Sequence, residues 1–289
     1  MNQIRFRGST QGLEMDRIVR DEAFSMTARH FHETYELYVP LEGERYYFID
    51  QETYLVKAGD VVLIRPNQIH RTSTAGEPAH DRILLQIEEA CLLPMLEECR
   101  IHTLGELFRS GASVIRVCAE DQKRVKRLLE EMEGELSVRR EYGEMILRLL
   151  LIQLLILLSR CQQKEEWYQE PEPVRTWKHK KVHEVARYLM KNPETPESLP
   201  QLAARFCISK SYLSRIFREV TSFSVNEYKN ISRIKKSQEL LLCTDCSVTE
   251  IAGILGYDTV TYYERVFKRY TGTTPLKFRK NAVRGRTSR

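Results

Sequence analysis

Cysteine patterns that would form disulfides or hold a metal are nearly absent from this chain of 289 residues. Its seven cysteines lie scattered at Cys91, Cys99, Cys118, Cys161, Cys207, Cys243 and Cys246, and only Cys243 and Cys246 have C-x-x-C spacing. No second pair completes a zinc site, so these two read as small packing or surface residues near the end of a helix starting around Ser224. The amino terminus shows no basic stretch running into an apolar one, so no secretory signal is expected; a reduced, cytoplasmic protein is. Membrane-length apolar runs are missing as well. The run Ile146–Leu158 is interrupted by Arg148 and Gln153 and falls short of the ~20 residues a membrane span needs. No catalytic residue is read from the sequence, and an enzyme is not expected.

What the chain does contain is an uneven charge. From Lys178 to Arg289 there are 22 Lys+Arg against 10 Asp+Glu, whereas the other 177 residues hold 23 against 30. A carboxy-terminal third this basic suits a polyanionic partner, and the remainder does not. The same third carries one pattern twice. Leu202-Ala203-Ala204 leads through a turn into Ser209-Lys210-Ser211-Tyr212-Leu213-Ser214-Arg215-Ile216-Phe217-Arg218. Ile251-Ala252-Gly253 leads likewise into Thr259-Val260-Thr261-Tyr262-Tyr263-Glu264-Arg265-Val266-Phe267-Lys268. A short apolar-periodic helix, a tight turn and a second helix, duplicated, predict two helix-turn-helix units.

Ser198 suits the cap of the first helix, with Pro200 in its first turn. Ser209 suits the cap of one recognition helix, and Asp258 or Thr259 the other. Helical spacing turns Leu213, Ile216, Phe217 and Val220 inward on the first, and Tyr263, Val266, Phe267 and Tyr270 on the second. Left to face double-stranded DNA are Lys210, Ser211, Ser214, Arg215 and Arg218 in one helix. In the other they are Val260, Thr261, Tyr262, Glu264, Arg265 and Lys268. Arg215 and Arg265 occupy equivalent positions and can each meet a guanine edge or a phosphate, while Val260 and Thr261 can touch thymine methyls.

Residues 1–90 read as β structure, with short apolar or aromatic runs at Tyr35–Val39, Arg45–Ile49 and Val61–Ile64 and turn signals at Gly43, Gly59-Asp60 and Pro66-Asn67. Such strands suggest a small sandwich or barrel. Residues 91–163 change to helical periodicity. Asp121–Val138 is amphipathic, and Tyr142–Arg160 is apolar on nearly every side, which calls for cover by a second subunit or by the chain's own core alone. Residues 164–177 lose periodicity around Pro171 and Pro173 and read as a linker, leaving 178–289 as the DNA-binding domain.

Within the β region, His30-Phe31-His32, then Glu36 and Gly43, and a second segment from Gly59 through Pro66 to His70, resemble the two motifs of the cupin barrel. In metal-bearing cupins the matching positions converge on one ion, so the resemblance implies His30, His32, Glu36 and His70 as ligands of a transition metal. Alternation on a strand does place His30 and His32 on one face. Equally, these side chains can hydrogen-bond one another, a neighbouring strand or an organic effector. Tyr35, Tyr38, Tyr46, Tyr47 and Tyr54 supply amphipathic rings for such a pocket, about half of them on the outer face. The expected effector-binding set is His30, His32, Glu36, Tyr38, Tyr47 and His70.

The region from about Lys181 to Lys280 resembles the DNA-binding domain of the AraC family of transcription regulators. Carrying the resemblance are Ser209–Phe217, Arg233-Ile234 before Leu240-Leu241, Ile251–Tyr257 and Phe267–Arg279. It implies two helix-turn-helix units joined by a long helix, here Ser224–Leu242, with recognition helices ~34 Å apart in successive major grooves. Ser222 stands where the family often has glycine, Ser237 where it has alanine and Tyr257 where it has phenylalanine. The implied architecture is α+β: a cupin-like β-barrel, a helical dimerisation segment and an all-α domain. The implied function is a homodimeric regulator, activating through RNA polymerase, responsive to a small-molecule effector such as a sugar. A metal-binding cupin enzyme or metal sensor fused to a DNA-binding module is the alternative, and charge alone would also allow nonspecific nucleic-acid binding.

Overall fold

The computed structural model describes residues 2–24, 32–98, 107–108, 113–138, 140–163 and 172–287, and the chain divides into two compact units, Met1–Val174 and Arg175–Arg289. His30, Phe31 and Cys99 lie outside the described residues.

The first unit opens with strands β1 (Asn2–Thr10), β2 (Leu13–Arg20), β3 (Tyr35–Glu42), β4 (Glu44–Ile49), β5 (Glu52–Lys57), β6 (Asp60–Ile64), β7 (His70–Thr74) and β8 (His80–Ile87). Helix α1 (Glu89–Glu98), strand β9 (Val114–Arg116) and helices α2 (Ala119–Ser137) and α3 (Gly143–Gln163) complete it. An antiparallel sheet runs β1-β2-β8-β3-β6-β9, and a second runs β5-β4-β7. The central strands are buried on both faces, and the two-residue side-chain period sorts them into two cores. Leu37 and Val39 of β3, with Val61 and Leu63 of β6, join the leucines of α2 and α3. Tyr38, Val62 and Ile64 turn the other way, onto Tyr47, Ile49 and Val56 of the second sheet. Glu36 pairs with Ile64 and Tyr38 with Val62, so the inward-facing residues are in register.

Two boundaries differ from the sequence expectation. The stretch 91–163 is not wholly helical, because β9 pairs Ile115 with Val61 and completes the larger sheet. The proposed linker is partly structured too: Pro173 bridges to Tyr54, the Val174 N–H donates to the Thr53 carbonyl at 2.6 Å, and helix begins at Trp177. Proline has no N–H to contribute to a ladder, so its place beside an edge strand is the one it tolerates. Helix α3 buries Leu147, Leu151, Leu154, Leu155 and Leu158, yet Tyr142 just before it and its own Met145, Ile146 and Leu149 are exposed. No helix among the described residues is long and apolar enough to cross a membrane.

The second unit is helical: α4 (Trp177–Lys191), α5 (Leu199–Arg205), α6 (Lys210–Thr221), α7 (Val225–Cys243), α8 (Val248–Ile254), α9 (Val260–Thr271) and α10 (Pro275–Thr287). Small polar residues set the starts. Ser209 accepts from the Tyr212 N–H and Thr259 from the Tyr262 N–H, both at 3.2 Å. Ser224 and Glu227 satisfy each other's backbone N–H groups in a capping box at the head of α7. The turn N–H groups of Ile208 and Tyr257 donate to the Ala203 and Ala252 carbonyls, both at 3.0 Å, and both alanines are buried. A larger side chain would hold the two helices apart. Phe217 and Phe267 are fully buried at equivalent positions, and truncating either to alanine should cost ~3–5 kcal/mol. Cys243 ends α7 exposed, and neither it nor Cys246 joins a potential ligand cluster among the described residues.

Candidate effector and nucleic-acid sites

Strands β3, β4 and β7 turn alternate residues into the space between the sheets, and many of these are polar. Glu36 is buried at their centre. Its Oε1 accepts from the Tyr47 hydroxyl at 2.8 Å, and its Oε2 lies 3.0 Å from His32 Nε2 and 3.6 Å from His70 Nε2. His32 Nδ1 faces the Thr34 carbonyl and His70 Nδ1 the Gln68 carbonyl, both at 2.9 Å. A carbonyl only accepts, so His70 Nδ1 carries a proton; His32 Nδ1 also lies 2.9 Å from the Thr34 hydroxyl, which can donate or accept, and both Nε2 atoms look toward the carboxylate. Burial pushes the Glu36 carboxyl up, but His70 and His32 outweigh it and hold the group far below the usual carboxylate range. Burial likewise opposes protonation of His70, and Glu36 overcomes it, raising the imidazole's pKa.

The sequence-expected residues divide accordingly. His32, Glu36, Tyr47 and His70 meet in one cluster, and Tyr38 packs edge-on against Tyr47 at 5.2 Å between ring centroids. His30 falls outside the described residues. Of the other tyrosines, Tyr54 packs on the inter-sheet core, whereas Tyr35 lies against Phe108 in the helix-side core. Donor atoms of His32, Glu36 and His70 lie within 4.8 Å of one another, a set whose chemistry fits a divalent transition metal. Sequence reading missed Arg45, which points inward on β4 with donors to Thr72 Oγ1 and Thr74 Oγ1 at 3.1 and 3.3 Å. The alternation Arg45-x-Tyr47-x-Ile49 carried the signal, because Tyr47 was already an inward candidate.

In the second unit the inward stripes are buried, apart from a half-buried Tyr270, and the opposite faces are open. Lys210, Ser211, Ser214, Arg215 and Arg218 are exposed along α6 and line a shallow groove with Leu199. Along α9, Thr261, Tyr262, Glu264, Arg265 and Lys268 are exposed and Val260 half-exposed. Both recognition arginines lie over the ring of the tyrosine one turn earlier, Arg215 at 5.0 Å from Tyr212 and Arg265 at 5.2 Å from Tyr262. A stacked guanidinium has less rotamer freedom to lose when it meets a base or phosphate.

A sheet domain with a polar interior, followed by paired helices that present matching basic faces, defines a ligand-binding transcription regulator. Comparison with known proteins gives the family. The pattern described as an AraC-like ligand binding domain matches residues 15–155, and a helix-turn-helix domain pattern matches residues 202–281. The chain belongs to the AraC family of transcription regulators. It is similar to the transcriptional activator RhaR of Mannheimia succiniciproducens, with 22% identity over 261 residues covering 88% of each chain. RhaR of Salmonella heidelberg is 23% identical over 259 residues, 87% of this chain and 86% of the relative. Among solved structures, an apo ToxT variant from Vibrio cholerae matches 94% of this chain and 98% of its own at 14% identity and TM-score 0.39. The DNA-binding domain of AdpA bound to a target DNA matches 36% of this chain and 92% of its own, at 29% identity and TM-score 0.34.

Proposed function

We propose that this regulator activates transcription from a specific promoter when a small molecule binds between the two sheets of its first unit. It does so as a cytoplasmic homodimer that contacts RNA polymerase, and it performs no catalysis of its own. The observation that carries the reading is the polar cluster of Glu36, Tyr38, Tyr47 and His70, buried where a purely structural barrel would be apolar. Burying such groups is unfavourable unless each is satisfied, and a bound polar molecule is what such an interior recognises. The effector acts by binding two arrangements of the regulator unequally. RhaR relatives are named as activators, which supports activation over repression. The exposed stripe Tyr142, Met145, Ile146 and Leu149 supports the dimer, since its spacing suits the same stripe of a second copy. Leu149→Glu should shift the sedimenting species from dimer to monomer.

The DNA contacts are assigned to Lys210, Ser211, Ser214, Arg215 and Arg218, and to Val260, Thr261, Tyr262, Arg265 and Lys268. Selection from random DNA should return one defined motif. Arg215→Ala and Arg265→Ala should each weaken binding by ~1–3 kcal/mol and relax a different position within it. Equal binding to all sequences would support nonspecific attachment and defeat the reading. A second reading, metal sensing, rests on the convergence of His32, Glu36 and His70. Purified protein lacking stoichiometric transition metal, with His32→Ala as the control, sinks that version.

A further inference from the structure

Several arginines of the first unit are paired with carboxylates. Arg17 pairs with Asp81 at 2.6 Å, Arg116 with Asp60 at 3.0 Å, and Arg82 with Asp16. Arg45 is the most buried arginine among the described residues of the unit, 1% exposed, yet every acceptor it meets is neutral: Thr72 Oγ1, Thr74 Oγ1 and the Phe24 carbonyl. Arg20 comes toward the same ring. Its guanidinium sits 3.8 Å from the Phe24 centroid, its NH1 reaches His80 Nε2 at 3.4 Å, and its buried Nε has no acceptor. Arg45 stands 5.9 Å from that centroid, so the two cations share one aromatic neighbour. Burial lowers the pKa of Arg45, with Arg20 and Arg71 adding to that, and Tyr38 lies within the field of both Arg45 and Arg20. The nearby interior carboxylate, Glu36, is already engaged by Tyr47, His32 and His70. Residues 25–31, which follow Phe24, contain no acidic side chain.

A buried and a half-buried guanidinium gathered without a counter-ion among the described residues are unfavourable alone. With the Thr72 hydroxyl beside them, they form a donor set matched to the planar oxygens of a carboxylate or the tetrahedral oxygens of a phosphate. We propose that the effector is a small organic anion, its carboxylate or phosphate held by Arg45 and Arg20 with its apolar or sugar body against Phe24 and Tyr38. This inference rests on the reading of the inter-sheet space as the effector site, and it narrows the ligand from any small polar molecule to an acidic one. Arg45 and Arg20 are then the residues that set specificity against neutral sugars.

The test is a thermal-shift titration of the full chain with matched probes at constant ionic strength. Galacturonate and glucose 6-phosphate represent the two acids, and galactose and glucose are their neutral counterparts. At least one acid should raise the midpoint at concentrations at least about tenfold lower than its neutral counterpart, the scale of one charged hydrogen-bonded contact. That response should be lost in Arg45→Met and in Arg20→Met, either of which suffices if the other does not fold. It should persist in the Arg215→Ala/Arg265→Ala double variant, whose basic DNA faces would otherwise attract any anion. A shift from the neutral sugars equal to that from the acids, abolished by Tyr38→Phe, overturns the anion proposal and leaves the effector site standing. A shift that survives Arg45→Met and Arg20→Met, or no shift with any probe, overturns both.

Discussion

The two helix-turn-helix units share one design but differ in how comfortably the backbone accommodates it. Each turn passes through a left-handed residue at the same point, Cys207 at φ 54° in the first unit and Gly256 at φ 68° in the second. Each recognition helix also ends left-handed, at Ser222 with φ 65° and at Gly272 with φ 72°. The second unit therefore uses glycine at both positions, and the first uses residues with a Cβ that this conformation disfavours. The second turn is also one residue longer before its cap, with Tyr257 and Asp258 ahead of Thr259 where the first has only Ile208 ahead of Ser209. On the DNA side the contrast runs through charge: Lys210 and Ser214 of the first helix face Val260 and Glu264 as their equivalents in the second. The lesson is that duplication retained the hydrogen bonds and the core while backbone comfort and surface chemistry diverged. The two units present different side chains on their open faces and carry different local strain.

Among the changes that set the two helix-turn-helix units apart, breaking the second turn should cost the most stability. A Cβ on Gly256 would sit 3.1 Å from both the Glu194 carbonyl and Arg233, at a φ that already penalises it. Arg233 is not at liberty to withdraw, since its Nε donates to the Pro193 carbonyl at 2.9 Å and its guanidinium covers the Tyr257 ring. Gly256→Ala should lose ~2–3 kcal/mol in urea unfolding, combining left-handed strain with crowding. A loss below that of Gly272→Ala, where nothing lies within 4 Å of the added carbon, would show that crowding contributes nothing.

Next in size is a contact that the second unit makes and the first does not. The Ser237 hydroxyl on α7 lies 2.5 Å from the Tyr263 hydroxyl in a fully buried setting. Leu213, at the equivalent place in the first recognition helix, needs no such partner. Ser237→Ala should cost ~1–2 kcal/mol by leaving the phenol unsatisfied. Adding Tyr263→Phe should recover most of that loss, and failure to recover it would mean that Ser237 matters through packing alone.

Most of the helical unit Arg175–Arg289 was legible in the sequence because its signals are local. Caps, apolar stripes and turn residues act within a few positions, so Ser209, Thr259, Ser224 and the two inward stripes fall where periodicity places them. Even the Ser222 substitution announced its strain. The first unit was legible in outline and less so in its site. His32, Glu36, Tyr47 and His70 were marked by resemblance, but Arg45 depends on which face of β4 turns inward, and that depends on pairing with β7 far along the chain. Strand β9 was invisible for the same reason: three residues carry no period, and only the waiting edge of β6 makes them a strand.

The smallest expected effect is the one that would sharpen the comparison most, because it makes the first unit resemble the second. Cys207→Gly and Ser222→Gly each replace a strained left-handed residue with one that adopts φ > 0 without steric conflict. Removing that strain gains ~1–2 kcal/mol, and the extra freedom glycine brings to the unfolded chain returns part of it. A net gain of ~0.5–1 kcal/mol per site is expected in urea unfolding of the full chain. The reverse change, Gly272→Ser, should lose a similar amount, since open space surrounds that position and only backbone conformation is tested. If Ser222→Gly is instead destabilising while Gly272→Ser costs ~1 kcal/mol, the Ser222 hydroxyl contributes more than its backbone loses, and the two helix ends differ in mechanism rather than in strain.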